Sequence, residues 1–491
     1  MNISTYLAGC AQLSLRGQDS QQHPAQLMAG VATTALQDAG LQVAQVDLVA
    51  CVEPLSCAYN ELAGNVAQSL GCRADINTLW VPAGGTSPQD LLHQIGVRIA
   101  AGELDCAIIA GSEAFYTRKR ARKAGIQLDW PERPADYNPM RGQGPFTSEL
   151  ERRHGLMMPI QLFPLFENAL RHTNQRTAGE QISVASTLLA RNAQVAINNP
   201  HAWFQDGPTA DDIGTVSDDN RMIAYPYTKR MNAIMDVDQA AALVLVSERL
   251  LKESDLADNA AAVLGGCGAE DIWNPIERRT FAESPAMTLA IQTALAWAGI
   301  SANEVNAADL YSCFPSAVQL GLIGLGVGVD DPRPVSLTGG LAYAGGPGNA
   351  YVLHSLATAL LQLRQQPQDK LLVTGIGMAN TKHAATVLSH AEQIPTEASG
   401  EMSYREPLSE QALAVEDTPT GQASIVTYTI EYDRQGTPTN VIYILDVGGD
   451  KRSIANAEDP ATAAEQLLGH DPIGRQGAVR QLGERNVFEL T

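Results

Sequence analysis

Apolar positions recur at helical spacing through residues 90–105, DLLHQIGVRIAAGELD, and then close up into the continuous run CAIIAGSEA. A glycine turn, AGGTSPQ, precedes them. The pattern predicts a turn, an amphipathic helix, a short polar loop and a buried strand, in that order. The same order returns later in the chain as AGGPGNA, YVLHSLATALLQLRQQPQDK and LLVTGIGMA. Both copies begin Ala-Gly-Gly, with Gly84-Gly85 in one and Gly345-Gly346 in the other, and both reach a Leu-His pair at the same distance. Shared order, spacing and element type mark a duplicated unit. DLVACVEPL, AALVLVSERLL and AAAVLGGCG read as further buried strands or strand-to-helix joints. SPAMTLAIQTALAWAGI reads as an amphipathic helix that starts at a Ser-Pro and stops at Gly299. Strands alternating with helices require crossover connections and a sheet covered on both faces.

Two stretches break this rhythm. A long insertion runs over about residues 114–235. Its first part, FYTRKRARKAGIQLDWPERPADYNPMRG, is basic, polar and loop-like, whereas PIQLFPLFENALRHT and ISVASTLLARNAQVAINNP read as helices. From about residue 395 the chain reads as a linker, HAEQIPTEASGEMSYREPLSEQ. ASIVTYTIEYD, TNVIYILDV, RSIANA and GRQGAVRQLGERNVFEL then alternate in strand fashion around turns at RQGTP and GGDK. About five short strands in this tail predict a small β-barrel of the OB kind. The expected division is residues 1–260 (with the insertion), 261–395 and 405–491.

Composition narrows the function. A chain of 491 residues with 45% hydrophobic positions is globular and holds more than one domain. A formal net charge of −21 argues against nucleic acid, whose phosphates need Lys and Arg, and against an anionic membrane surface. The predicted barrel is acidic too and lacks a basic, aromatic face. The basic stretch of the insertion is the place for a phosphate-bearing ligand, or else a solvated loop. Seven Cys lie singly, without spacing for a metal, so no metal site is expected. No basic leader and no apolar run of membrane-spanning length is seen. A cytoplasmic, reducing setting with free, mostly buried thiols follows.

With both glycine turns placed, residues 1–395 resemble the thiolase superfamily. GELDCAIIAGSEAF, VAINNPHAW and YPYTKRMNAIMDVDQAAALVLVSE carry the likeness, with DLYSCFPSAVQ and GGLAYAGGPGNAY in two of the family's motif slots. The resemblance implies an α/β class chain: a duplicated thiolase-like fold of two βαβαβαββ halves in five αβαβα layers, here followed by a small all-β OB-like barrel. Thiolases use a Cys at a helix N-terminus as acyl nucleophile, a His that activates it and a second Cys that moves a proton. Here those slots read Gly85, Gly346 and a Cys-free stretch around Thr374. No acyl-enzyme of the usual kind can form at Gly85. The Asn-Glu-Ala-Phe slot reads Tyr311-Ser312-Cys313-Phe314. A Tyr there resembles the thiolase-like aldolases of steroid side-chain breakdown, which cleave a 3-hydroxyacyl-CoA beside an OB-fold partner. The likeness to the type 1 thiolase-like proteins, with an extra C-terminal domain and no catalytic Cys, is closest.

What the resemblance implies is an acyl-CoA as substrate or ligand, no tightly bound cofactor, and work on a C–C bond by a non-covalent aldol, retro-aldol or acyl-transfer-like step. The alternatives are a catalytically inactive acyl-CoA scaffold or carrier, and the family activity of an acetyl-CoA acetyltransferase, against which the missing Cys, His and Cys count. Tyr311 is expected either as proton donor or acceptor at a substrate oxygen or as a core tyrosine. Cys313 is a stand-in nucleophile or an inert thiol. Tyr343 and His383 are the other catalytic candidates, the latter beside Lys382 in a loop that reaches ligand or is merely solvated. Gly85, Gly346 and Gly377 are expected to line the ligand, since glycines at helix starts offer free N–H groups and leave room for a bulky substrate. Thr86 and Asn349 touch the ligand or cap helices. Monomer and homodimer both stay open.

Overall fold

The computed structural model describes residues 3–18, 20–140, 144–409 and 411–491. The first two residues, the end of the basic stretch at 141–142 and one linker position, 410, lie outside them.

The first half builds five strands: β1 (Thr5–Ser14), β2 (Leu48–Val52), β3 (Asn77–Val81), β4 (Cys106–Ala114) and β5 (Asp238–Ser247). Their order in the sheet is β3-β2-β4-β5-β1, with β5 antiparallel to β4 and β1. The second half repeats it with β6 (Ala261–Glu270), β7 (Ala307–Asp309), β8 (Lys370–Gly377) and β9 (Lys382–His390), ordered β7-β8-β9-β6. The edge that β3 occupies in the first half is held here by a remnant. The carbonyls of Pro334 and Val335 accept from the amides of Ala308 and Leu310 at 2.9 and 3.0 Å. The sheets join through β1 and β6, Tyr6 opposite Ala262. β4 and β5 are buried at every position, which explains their continuous apolar runs.

The duplication extends to the helices. α1 (Pro24–Asp38), α2 (Leu62–Leu70) and α3 (Ser87–Ala100) correspond to α6 (Pro285–Trp297), α7 (Pro315–Leu325) and α8 (Tyr351–Gln365). α3 and α8 pack against each other and against strands of both halves, between the two sheets. The repeated histidines show the symmetry. His93 of α3 reaches Thr386 Oγ1 of β9 at 3.0 Å, and His354 of α8 reaches Gln12 Oε1 of β1 at 2.9 Å. Each helix thus sends its His into the other half, where burial holds the imidazole down to about 3.

Within the insertion, α4 (Pro159–Thr173) and α5 (Ala178–Asn198) are the long helices. The basic stretch expected to be loop-like opens instead with a helix, Phe115–Ala124, closed by Gly125 in the left-handed region at φ 66°. Arg, Lys and Ala are good helix formers, and charge alone does not unmake a helix.

The tail forms a closed five-stranded barrel from β10 (Gly421–Tyr432), β11 (Pro438–Gly448), β12 (Lys451–Asn456), β13 (Gln476–Leu482) and β14 (Arg485–Leu490). Pairing runs β10-β11-β12-β14-β13 and back to β10. A helix missed in the sequence, α9 (Pro460–Leu468), connects β12 to β13, with the Asp459 carboxylate accepting from the Ala461 and Thr462 amides. The insertion lends the barrel a short strand, Met222–Ala224, beside β10. Asn168 Nδ2 donates to the Tyr428 carbonyl at 2.9 Å, and the Thr427 hydroxyl donates to that of Leu165 at 2.6 Å.

Candidate functional site

The Gly84-Gly85-Thr86 turn delivers the chain into α3, with Pro88 in the first turn. A Cβ built on Gly85 would lie 2.0 Å from the Ile376 carbonyl oxygen, 2.7 Å from the Tyr311 hydroxyl and 3.0 Å from Tyr311 Cζ. The room expected above Gly85 for a substrate is therefore filled by the protein itself, by the Tyr311 phenol on one side and the backbone of β8 on the other. Gly377 closes the same wall, its hypothetical Cβ 3.5 Å from the Gly85 nitrogen.

Tyr311 is held firmly. Its N–H donates to Thr374 Oγ1 at 2.9 Å, and its ring stands edge-on to Tyr351 at 5.5 Å. Tyr351 is fixed in turn by Thr338 at 2.6 Å and by the buried Asp309 at 3.2 Å. Asp309 also accepts from the Leu337 amide and the Ser355 hydroxyl, both at 2.7 Å. The Tyr311 hydroxyl itself has no hydrogen-bond partner among the described residues. Burial first, then the nearby Cys313, pushes its pKa well above the usual phenol value. This group is a proton donor at every physiological pH, not a base. The Cys313 thiol is likewise pushed up by burial, which removes the thiolate a nucleophile needs.

The second glycine turn behaves differently. Gly345 is left-handed at φ 112° and packs on Gln239, whose Oε1 would lie 2.3 Å from an added Cβ. Gly346 is looser, its nearest neighbour being the Ile234 carbonyl oxygen at 3.2 Å from a hypothetical Cβ. Its N–H is not free for a ligand, because it donates to that same carbonyl at 2.8 Å. Asn349 is also committed, giving its amide to the Glu53 carbonyl at 2.7 Å.

Beside Gly346 opens a cleft of about 570 Å³, lined in part by Phe204, Ile223, Lys229, Arg230, Ile234 and Tyr343. Tyr343 donates its hydroxyl to the Arg230 carbonyl at 3.2 Å, and burial pushes its pKa up. Asp206 and Asp219 sit on the same walls. Lys229 and Arg230 escaped the sequence reading as site residues, although they fall inside YPYTKRMNAIMDVD. Two adjacent cations beside an aromatic pair on an acidic chain were the available signal.

Thr86 and His383 come together in a separate, polar cavity with Asp90 and Lys382. Thr86 occupies the cap position of α3 without capping it; its hydroxyl donates to Asp90 at 3.1 Å. His383 Nε2 lies 3.2 Å from Asp271 and 3.1 Å from Ser284. Ser284 gives its proton to Asp271 at 2.5 Å, so this Ser, His and Asp do not form a nucleophilic triad. The structure thus gathers Gly85, Gly377 and Tyr311 at one point, Tyr343 at the large cleft with Gly346 packed behind its Ile234 wall, and Thr86 and His383 at the small cavity. Among the described residues no group of three or more His, Cys, Asp or Glu is placed to hold a metal. No helix among them is long and apolar enough to cross a membrane.

The paired sheets, the two central helices and the closed barrel define a thiolase-like protein. A monomeric SCP2-thiolase-like protein type 1 (STLP1) from Mycobacterium smegmatis is similar over 99% of this chain and 99% of its own, at 27% identity and a TM-score of 0.81. The family model for the additional C-terminal domain of thiolase-like protein type 1 matches residues 408–484. Residues 408–484 thus carry the additional domain of type 1 thiolase-like proteins, on a chain that is thiolase-like throughout. The Ltp2-ChsH2(DUF35) aldolase shares the fold at 18% identity and a TM-score of 0.61, over 80% of this chain and 99% of its own. No curated protein sequence matches the chain.

Proposed function

We propose that this protein binds an acyl-CoA in the cleft beside Gly346 and acts on a C–C bond of the acyl group without a covalent intermediate, as an aldol or retro-aldol catalyst. The observation that carries the chemistry is the unpartnered Tyr311 hydroxyl, standing where a thiolase keeps its nucleophile. A phenol that stays protonated can donate to the thioester oxygen as negative charge develops there when the C–C bond breaks. Lys229 and Arg230 suit CoA phosphates, and Phe204, Ile223 and Ile234 suit the pantetheine arm. Acetyl transfer through an acyl-enzyme is not part of this reading, because the Ile376 carbonyl occupies the place of a Cys Cβ at position 85. The similar M. smegmatis protein is described as monomeric, and we take this chain as a monomer too.

A second reading, a silent acyl-CoA carrier, is favoured by one observation: the large cleft is lined by Tyr343 and not by Tyr311. One experiment separates the two. Calorimetric titration with acetyl-CoA and a 3-hydroxyacyl-CoA is followed by assay of released aldehyde or ketone. The wild type should bind and turn over; Tyr311→Phe should bind equally and lose turnover by about a hundred-fold or more. Binding without turnover of a broad acyl-CoA panel leaves the carrier. No binding at millimolar concentration overturns both.

A further inference from the structure

The small cavity at the start of α3 has a volume of about 140 Å³, and its lining includes Thr86, Asp90, Lys382, His383, Glu270 and Arg405. Thr86 on its wall directly follows Gly85, against which the Tyr311 hydroxyl packs. The stem of Lys382 packs over Gly377, whose hypothetical Cβ would meet it at 3.2 Å.

Its polar groups are built into the fold yet left incomplete. The Lys382 side chain is only 8% exposed, and its nearest carboxylate oxygen, Asp90 Oδ2, is 3.9 Å away. That is beyond hydrogen-bond reach, so the three ammonium donors have no acceptor among the described residues. The His383 side chain is 1% exposed. Its Nε2 is surrounded by Asp271, Ser284 and the Asn380 carbonyl, while its Nδ1 has no partner. Asp90 accepts one side-chain hydrogen bond, from Thr86. Burial raises its carboxyl to about 6, against the opposing pull of Lys382 and the Thr86 hydroxyl. Leaving a buried ammonium without a hydrogen-bond acceptor is costly, and a pocket that presents it beside a carboxylate with a single side-chain donor is arranged for something that pairs them.

We propose that this cavity is a second ligand site, separate from the acyl-CoA cleft, and that it takes a compact uncharged molecule bearing a carbonyl and a hydroxyl. Charge sets the class. At the rim Arg405 and Glu270 neutralise each other at 2.9 Å, and on the floor Lys382 and Asp90 carry one charge of each sign. An anion would face Asp90 and Glu270, and a cation would face Lys382. A neutral ligand with one acceptor and one donor satisfies the floor: its carbonyl oxygen accepts from Lys382, and its hydroxyl donates to Asp90. Size sets the limit. At roughly 30 Å³ per water-sized group the space admits about five heavy atoms.

Hydroxyacetone is the probe. Saturation-transfer NMR on the full chain should show saturable binding to the wild type, weakened about ten-fold or more in Lys382→Met and clearly weakened in Asp90→Asn. Lys229→Met, at the other cleft, should bind it unchanged, even where acyl-CoA binding is lost or never seen. Lactate, of similar size but anionic, should bind more weakly. Circular dichroism checks that each variant is folded; if Lys382→Met is not, Asp90→Asn carries the test. The proposal is overturned by absence of saturable hydroxyacetone binding, by equal binding to the variants, by tighter binding of lactate, or by a soaked crystal whose cavity holds water only.

Discussion

Gly85→Ala tests the geometry at the centre of the molecule. The added Cβ would sit 2.0 Å from the Ile376 carbonyl oxygen, where an ordinary C···O contact is about 3.3–3.6 Å. Relief requires more than an ångström of movement. Ile376 lies in β8 and faces His383 of β9 in the ladder, so its carbonyl is not a flexible side-chain end. Gly85 is two residues before α3, whose Gln89 is bonded across to the Val373 carbonyl at 2.9 Å. Neither wall yields cheaply, which puts the cost at the upper end of overpacking, about 3 kcal/mol or more. For a core of this size that lowers the apparent Tm by about 3–4 °C or more. Far-UV circular dichroism during a thermal ramp measures it. Adding Tyr311→Ala should rescue only part, since it frees the hydroxyl side and leaves the carbonyl in place. Gly346→Ala is the internal control. Its nearest atom, at 3.2 Å, is also a carbonyl oxygen, but the surrounding Ala233 and Leu341 side chains stand back at 3.6 Å, so the loss should stay within about 1 kcal/mol. By the same reasoning Gly85→Cys should gain no acetyl-CoA acetyltransferase activity. A Gly85→Ala variant that melts within about 1 °C of the wild type would refute this account and reopen the space above Gly85 to a ligand.

Thr374→Val keeps the shape of the side chain but removes the acceptor of the Tyr311 N–H, leaving a buried donor unpaired; chemical denaturation should show a loss of about 1–3 kcal/mol, and an unchanged midpoint would mean that Tyr311 is positioned otherwise. Acid should weaken the fold through His93 and His354. Each is held down to about 3 in the native state, so the unfolded chain binds more protons between that value and about 6.5, and their stabilising contribution is lost as pH falls through this window. The gap in unfolding free energy between wild type and His354→Leu should therefore shrink by about 2 kcal/mol from pH ~7 to pH ~5, and a gap independent of pH would contradict the buried neutral imidazole.

How much of this was legible depends on whether the signal is local. The two Ala-Gly-Gly turns, their helices and the strands that follow are local, and the residue pattern showed them. The repeated Leu-His pair was visible too, but its meaning was not. Only the stacking of two sheets around α3 and α8 shows that His93 and His354 each enter the opposite half. Asp90 reads in the sequence as one more polar position of an amphipathic helix; Lys382, which faces it, arrives from a hairpin in the other half. The barrel's strands were legible from alternation, whereas α9 is a short helix that its own periodicity scarcely announces.

The sharpest difference concerns the two glycines themselves. In the sequence Gly85 and Gly346 are equivalent absences, each standing where the resemblance expects a catalytic side chain. In the structure they are opposites. The space at Gly85 has been taken, by a tyrosine whose backbone is bonded to Thr374 and whose ring stands on Tyr351 of the Asp309 network, and no local pattern encodes that placement. Gly346 is packed less tightly, 3.2 Å from the Ile234 carbonyl oxygen, and Ile234 also lines the cleft of about 570 Å³. The duplicated halves have therefore diverged in how these turns are packed. The first turn is closed by Ile376 and Tyr311 of the second half, the second by Ile234 of the insertion, and a loss at one glycine need not be matched by a loss at the other.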